Sequence, residues 1–574
     1  MRKVALSVLI LAVFAFSTAQ AKEEGWIYLF DGKALLEGMV TSPEASKQIT
    51  DEGLSIGAPS TKHENAYYFV PWMANPDFGA IVEARLKTIR CTGTYGNTIA
   101  LCDGVHEAYF TFFPDVITLS GWPDQPYCKV PFRTDDQFHA YRIEIKGTDL
   151  KLFADGKLVL DGKGQFAQDS IRKPAPNRVG FGSSMGTAAG GEAIWKFVRF
   201  KMLGTAKEEK VVIPEAPDLE IGLGKTVTIV PSNASEFFSF FRYKDGRMVV
   251  HDNYWSEDGG STWNKRNQSS PGISAIELPD GTIIEPGWRA NYVSPGVYEV
   301  DRATWTPDGK LSQEKGKAFI PDGAEVGVDD QNVEHKSAGV FDHGTVQLSD
   351  GSLLSVMYGN FQDDKVQIPE YSYKIYKTRV WAMHSTDKGK TWKYLTTVAY
   401  DPAIGMESFC EPALLQLPNK DILCFMRTGG GNKHTPLYLS RSTDEGKTWS
   451  KPVPIADRGV YPNVVRAKNG ILAVIYGRPG NWVAFSADDG NTWQGHFCFG
   501  KEPSSFYDFV AAVDKDTFLL IYSRKGRFDA EKGKIVSDVI GTFITVKPKV
   551  KTSNCAVSRA FQRFHNFVRS KLHF

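Results

Sequence analysis

The sequence has almost no excess charge: 67 basic residues stand against 66 acidic ones, a formal net charge of +1. That removes the electrostatic footprint of a nucleic-acid binder. Beyond the apolar run Val4 to Phe16 there is no second run of the roughly 18 apolar residues a membrane-spanning helix needs, so no transmembrane segment is expected. None of the seven cysteines lies in a CxxC pair, which excludes the usual thiolate zinc site. Their odd number leaves at least one thiol unpaired. Cys91 and Cys102 are close enough for a local bridge, and buried free thiols are the alternative. The 53 glycines and 30 prolines show no collagen period and suggest a turn-rich, all-β chain. With 36 Phe, 22 Tyr and 13 Trp, long disorder is excluded. A length of 574 residues implies two or three domains.

The first 21 residues stand apart. Met1-Arg2-Lys3 is a basic start, Val4 to Phe16 an apolar core, and Ala19-Gln20-Ala21 a small-x-small cleavage site. This is the pattern of a secretory signal peptide over 1–21, so a secreted or periplasmic location is expected. Removing Arg2 and Lys3 takes the net charge to about −1.

Residues 22–204 read as strands throughout. Ala140-Tyr-Arg-Ile-Glu-Ile-Lys146 alternates over most of its length, Asp149 to Asp161 reads as a hairpin turning at Asp155-Gly156, and Glu192 to Met202 closes the region. Together they predict a two-sheet β-sandwich able to fold alone. The stretch from Trp26-Ile-Tyr-Leu-Phe-Asp-Gly32 to His139-Ala-Tyr-Arg-Ile-Glu-Ile-Lys-Gly147 and Leu152-Phe-Ala-Asp-Gly156 resembles secreted concanavalin-like jelly-roll domains. That resemblance implies sugar binding beside a glycan-processing enzyme. Residues 205–222, with Lys207-Glu-Glu-Lys210, Pro214 and Pro217, read as a linker.

The region 223–546 contains an internal repeat. Ser-x-Asp-x-Gly-x-Thr-Trp occurs four times, at Ser256–Trp263, Ser385–Trp392, Ser442–Trp449 and Ser486–Trp493. Asp can bond backbone amides within a turn, Gly takes a positive φ, and Trp packs between sheets, so the motif reads as structural. Apolar hairpins turning at Asp245-Gly246, Asp280-Gly281, Asp350-Gly351, Asn419-Lys420, Asn469-Gly470 and Lys515-Asp516 divide the region into six units of four-stranded-blade length. The second unit has only a degenerate box at Trp305–Gly309, and the sixth has none. Thr226-Val-Thr-Ile-Val230 is expected to complete the last sheet. The predicted architecture is a six-bladed β-propeller preceded by the sandwich. Over 223–546 the chain resembles the sialidase superfamily of Asp-box propellers.

Residues equidistant from a hairpin turn face each other. By that rule Glu411 lies opposite Arg427, Tyr461 opposite Arg478, and His343, next to Asp342, opposite Tyr358. Tyr507 and Arg524 sit at the open end of the sixth hairpin, Arg289 at the end of the second, and His251 and Asp252 at the end of the first. The open ends thus carry Arg, Glu, Tyr, His and Asp, a set suited to an anionic, hydroxyl-rich ligand.

The resemblance assigns roles. Sialidases use a Tyr nucleophile with a Glu partner, outside the usual two-carboxylate scheme. Tyr507 in Ser-Ser-Phe-Tyr-Asp-Phe-Val matches that Tyr, Glu411 in Cys-Glu-Pro-Ala matches its Glu, and Arg427 and Arg478 match two of the family's three carboxylate-binding arginines. Two features depart from the family. The first unit reads Ser235-Glu-Phe-Phe where the family has Arg-Ile-Pro. It also lacks the insertion that carries the acid/base Asp. Asp252 is near that place, and Asp342 beside His343 is the alternative acid. The implied activity is an exo-glycosidase acting on a terminal, anionic sugar of a glycan or polysaccharide, without metal or organic cofactor. A non-catalytic glycan binder and a polysaccharide lyase using Tyr461 with His343 or His434 are the alternatives. The tail 547–574 carries seven Lys and Arg and no acid. It reads either as a basic amphipathic helix or as a disordered extension.

Overall fold

The computed structural model describes residues 25–549 except 38, 42–45, 58–65, 73, 122–126, 171–174, 185–189, 205–210, 232–238, 252, 327–335, 370–374, 431–434, 501–506 and 530–533. The leader, residues 550–574 of the C-terminal tail, Glu236, Asp252 and His434 lie outside the described residues. The described secondary structure is β throughout.

The N-terminal region forms two antiparallel sheets, one of eight strands and one of seven. Alternation along His139–Lys146 puts Tyr141, Ile143 and Ile145 inward. Those side chains join one core with Leu86, Phe110, Phe181, Trp195 and Phe200, drawn from both sheets. The predicted hairpin turns at Asp155-Gly156, both at positive φ (47° and 77°), the two-residue geometry whose twist matches the flanking strands. Cys91 and Cys102 are both unlinked. They sit on strands of different sheets, so the bridge that their spacing allowed does not form.

The rest of the described chain is a propeller of six four-stranded blades, and the six apolar hairpins are the inner pairs of those blades. Blade 6 takes its outer strand from Leu219–Val230, which pairs with Lys534–Pro548. This joins the two ends of the propeller and closes the ring. The strand starts at Leu219, inside the stretch read as linker. Leu219 and Ala216 are buried in the core of blades 5 and 6, and that apolar anchoring was hidden among prolines and charges.

The four Asp boxes fold alike. The Ser hydroxyl accepts from the Gly amide at 2.8–2.9 Å, and the Asp carboxylate accepts from the Thr amide at 2.8–2.9 Å. The residue before each Gly is also left-handed: Gly259, Lys388, Glu445 and Asp489. Each box links the third and fourth strands of its blade, at the same end as the inner hairpin turns. Glu445 of the blade 4 box accepts from the Ser349 amide in the blade 3 turn at 2.9 Å. Lys388 of the blade 3 box reaches Asp280 in the blade 2 turn at 3.3 Å. The boxes therefore tie blade to blade on one face and leave the other face for chemistry.

Candidate active site

The chain enters each inner strand and leaves each second strand at the face opposite the Asp boxes. There the ladders are bulged. In blade 4, Cys410 pairs with Arg427 and Ala413 with Phe425, so one residue is extra, and Glu411 takes φ 39°. In blade 5, Val460 pairs with Gly477 and Asn463 with Ile475, and Tyr461 takes φ 51°. Blade 3 breaks its register between Phe341 and Thr345, around His343. Bulges re-aim side chains and recur beside active sites. They also correct the symmetric-hairpin expectation: Arg427 lies opposite Cys410 rather than Glu411, Gly477 rather than Arg478 pairs in blade 5, and Tyr358 lies opposite Val340 rather than His343.

Released from the ladder, these side chains meet across blades. The Tyr507 hydroxyl donates to Glu411 Oε1 at 3.4 Å. Arg427 Nη1 donates to the same oxygen at 2.5 Å, and the Tyr461 amide donates to Glu411 Oε2 at 3.1 Å. Arg427 Nη2 donates to Glu407 Oε1 at 3.2 Å, and the Cys410 thiol to Glu407 Oε2 at 3.1 Å. The Tyr461 ring stands edge-on between His343 (4.0 Å between centroids) and Tyr507 (3.8 Å).

Burial governs the electrostatics. Asp342 is buried, and burial together with the Glu411 charge raises its carboxyl well above the ordinary value. Both effects favour the protonated acid over the carboxylate. Burial alone lowers His343 to about 3, so its ring is neutral, and neither ring nitrogen has a hydrogen-bond partner. Burial, then Glu411, raises the Tyr507 phenol, and burial first raises Tyr358 and Tyr461 too. For Arg427, burial opposes the charge, but Glu407 and Glu411 outweigh it and hold the guanidinium firmly protonated. Arg478 is lowered by burial and by the neighbouring Arg427.

The residues named from sequence divide into two sets. Glu411, Arg427, Tyr461, Tyr507 and His343 touch one another. Asp342, Tyr358 and Arg478 fall within electrostatic reach of Glu411. Arg289 pairs with Val340 at the edge of blade 3 and lies 4.8 Å over the Trp288 ring. Arg524 forks onto Asp538 at 3.1 and 2.7 Å. It is thus committed within blade 6 rather than to the cluster. Glu407 was not found from sequence. It sits on the loop before blade 4, outside any hairpin, and its one signal is a second acid four residues before Glu411. Among the described residues no group of three or more His, Cys, Asp or Glu is gathered as metal ligands are, and no helix is long and apolar enough to cross a membrane.

Residues 297–524, from the third strand of blade 2 to the second strand of blade 6, match the family model of the BNR repeat-like domain. No curated protein matches the chain. Similar solved structures include a protein of unknown function from Dyadobacter fermentans, at 18% identity over 57% of this chain and 99% of that one, with a TM-score of 0.40. The GH93 α-L-arabinofuranosidase of Fusarium graminearum matches at 15% identity over 56% and 97%, with a TM-score of 0.38. The NanB sialidase of Streptococcus pneumoniae matches at 11% identity over 88% and 99%, with a TM-score of 0.33.

Proposed function

We propose that this protein is a secreted glycoside hydrolase that removes a terminal sugar from a glycan, with Tyr507 as nucleophile and Glu411 as its base. The observation that carries this reading is the hydrogen bond from the Tyr507 hydroxyl to Glu411; burial and the Glu411 charge raise the nearby Asp342 carboxyl and favour its acid form. A phenol whose pKa is raised is a poor nucleophile until a base takes its proton during attack. Glu411 is in place to do so.

In the first step the Tyr507 oxygen bonds to the anomeric carbon, its proton passes to Glu411, and the glycosidic bond breaks. Asp342 gives its proton to the departing oxygen. In the second step Asp342, now a carboxylate, takes a proton from water. The water oxygen bonds to the anomeric carbon, and the Tyr507 oxygen leaves and recovers its proton from Glu411. Two displacements retain the anomeric configuration. Arg427 and the Tyr461 amide hold Glu411 in place, and His343 buttresses the Tyr461 ring.

The test is a screen of the purified protein against chromogenic terminal-sugar glycosides, neutral sugars, sialosides and uronides together. Release of a reducing sugar of retained configuration, without an unsaturated product, supports the reading. An unsaturated product would indicate a lyase, and saturable binding with no turnover a glycan-binding protein.

A further inference from the structure

We propose that a cavity between blades 2 and 3 is a second saccharide subsite, which holds the body of a glycan chain while its terminal sugar lies at Glu411 and Tyr507. This rests on the glycosidase reading and deepens it: the substrate is a chain of several sugars rather than a short glycoside.

The cavity has a volume of about 590 Å³, and its walls include Tyr292, Glu325, Val326, Gln362, Lys365 and Tyr376. That volume falls within the roughly 300–1,000 Å³ of small-molecule sites. Topology puts the cavity on the face that bears Glu411. Tyr292 lies near the end of the second strand of blade 2, Ile283–Ser294, and Gln362 and Lys365 follow the second strand of blade 3, Leu353–Gly359. Glu325 and Val326 follow the last strand of blade 2, Leu311–Phe319. All three strands end opposite the Asp boxes.

The same strands lead from the cavity to the centre. Where blades 2 and 3 pair, Asn291 lies beside Ser337 and Arg289 beside Val340. Asp342 is five residues beyond Ser337 on the inner strand of blade 3, about 17 Å of extended chain. Trp288, next to Arg289, is 52% exposed. An open aromatic ring therefore lies along the strand between Tyr292 and the level of Asp342.

The walls suit a sugar chain. Binding sites of this size join aromatic surface to a few polar groups that fix orientation. Tyr292 and Tyr376 are half-buried, so each keeps ring surface for the carbon face of a sugar. Tyr292 is braced edge-on by Tyr298, with 5.8 Å between centroids, and its amide donates to the Lys336 carbonyl at 2.8 Å. Gln362, Lys365 and Glu325 are exposed and offer donors and acceptors to hydroxyls. Two of these carry charge, and each already has a neighbour: Lys336 Nζ donates to Glu325 at 2.8 Å, and Lys365 lies 5.3 Å over the Tyr376 ring.

The experiment uses the full chain and reads binding and turnover separately. Full-length Tyr507→Phe, chosen so that bound chains are not cleaved, is applied to immobilised arabino-, xylo-, gluco-, galacto- and manno-oligosaccharides and sialylated glycans. Each series is presented as a monosaccharide and as a tetrasaccharide. At least one tetrasaccharide should bind about tenfold or more tighter than its monosaccharide, and adding Tyr376→Ala or Gln362→Ala should reduce that advantage at least about tenfold. The Gln362 side chain is exposed, so its variant serves if Tyr376→Ala fails to fold. Equal binding of monosaccharide and tetrasaccharide in every series overturns the proposal. So does a chain-length advantage that survives in a folded variant. Turnover is then measured with Tyr507 restored. If no glycoside is cleaved, the hydrolase reading falls, while a chain-length advantage lost in the cavity variants still upholds the saccharide site.

Discussion

The Tyr507 hydroxyl lies 3.4 Å from Glu411 Oε1, although 96 residues separate the two. One residue precedes the inner strand of blade 6 and the other is the bulged residue of blade 4, and the closed ring brings them together. The same Glu411 oxygen also takes a hydrogen bond from Arg427. The carboxylate is thus held by one group and poised toward another.

Tyr507→Phe removes only the phenolic oxygen. If that oxygen is the nucleophile, kcat should fall by roughly three orders of magnitude or more while substrate binding is nearly unchanged. Steady-state kinetics on the best substrate of the screen, with binding measured separately, would check this. Near-normal kcat would transfer the chemistry to Asp342 and His343.

Arg427→Ala acts on stability before it acts on binding. It strands Glu407 and Glu411, 8% and 5% exposed, without their shared cation. Breaking a buried pair from one side costs about 3–5 kcal/mol. A marked drop in denaturant midpoint should accompany the loss of activity. A variant as stable as the parent would show that water reaches the pair freely.

His343 and Asp342 respond to pH with opposite signs. His343 falls from 6.5 to about 3 on folding. Below pH 6.5 the unfolded chain takes up a proton that the folded one refuses, so stability drops as pH falls from 6.5 toward 3. The slope is about 1.4 kcal/mol per pH unit. His343→Asn should flatten that slope in urea titrations. Asp342 is raised on folding, so its carboxyl costs stability above the unfolded value of 3.8. Asp342→Asn should be more stable than the parent at neutral pH, and the gain should disappear near pH 3. An unchanged neutral-pH midpoint would contradict the buried, charge-refusing carboxyl.

Asp444→Ala, in the blade 4 box, removes the acceptor of the Thr448 amide and hydroxyl and of the Ser442 hydroxyl. Part of that turn is open to water, so a loss of about 1–3 kcal/mol is expected. Because the box faces away from Glu411, kcat at ambient temperature should stay within about twofold of the parent value. Thermal melts and kinetics on one preparation would separate the two effects.

The box turns and the apolar inner hairpins were legible because their physics is local. A Ser-x-Asp-x-Gly-x-Thr-Trp turn carries its own acceptors and its own left-handed glycine. An alternating strand announces which face it buries. The site was half legible. Glu411, Arg427, Tyr461, Tyr507 and His343 could be placed at one end of the blades from turn symmetry. Their actual partners depend on bulges at Glu411 and Tyr461, where non-glycine residues take positive φ, and no spacing in the chain records those.

By itself, then, the sequence determined a chain of two all-β parts, the number of blades, and the end of each blade that bears the polar side chains. These follow from periodicity and turn chemistry over stretches of a few residues. Only the tertiary structure decided which charges meet. Glu407 reaches Arg427 from an irregular loop, Arg524 turns to Asp538 instead of the axis, and burial with the Glu411 charge raises the Asp342 carboxyl. Those outcomes depend on burial and on distances between blades far apart in the chain, set only when the ring closes through Leu219–Val230 and Lys534–Pro548.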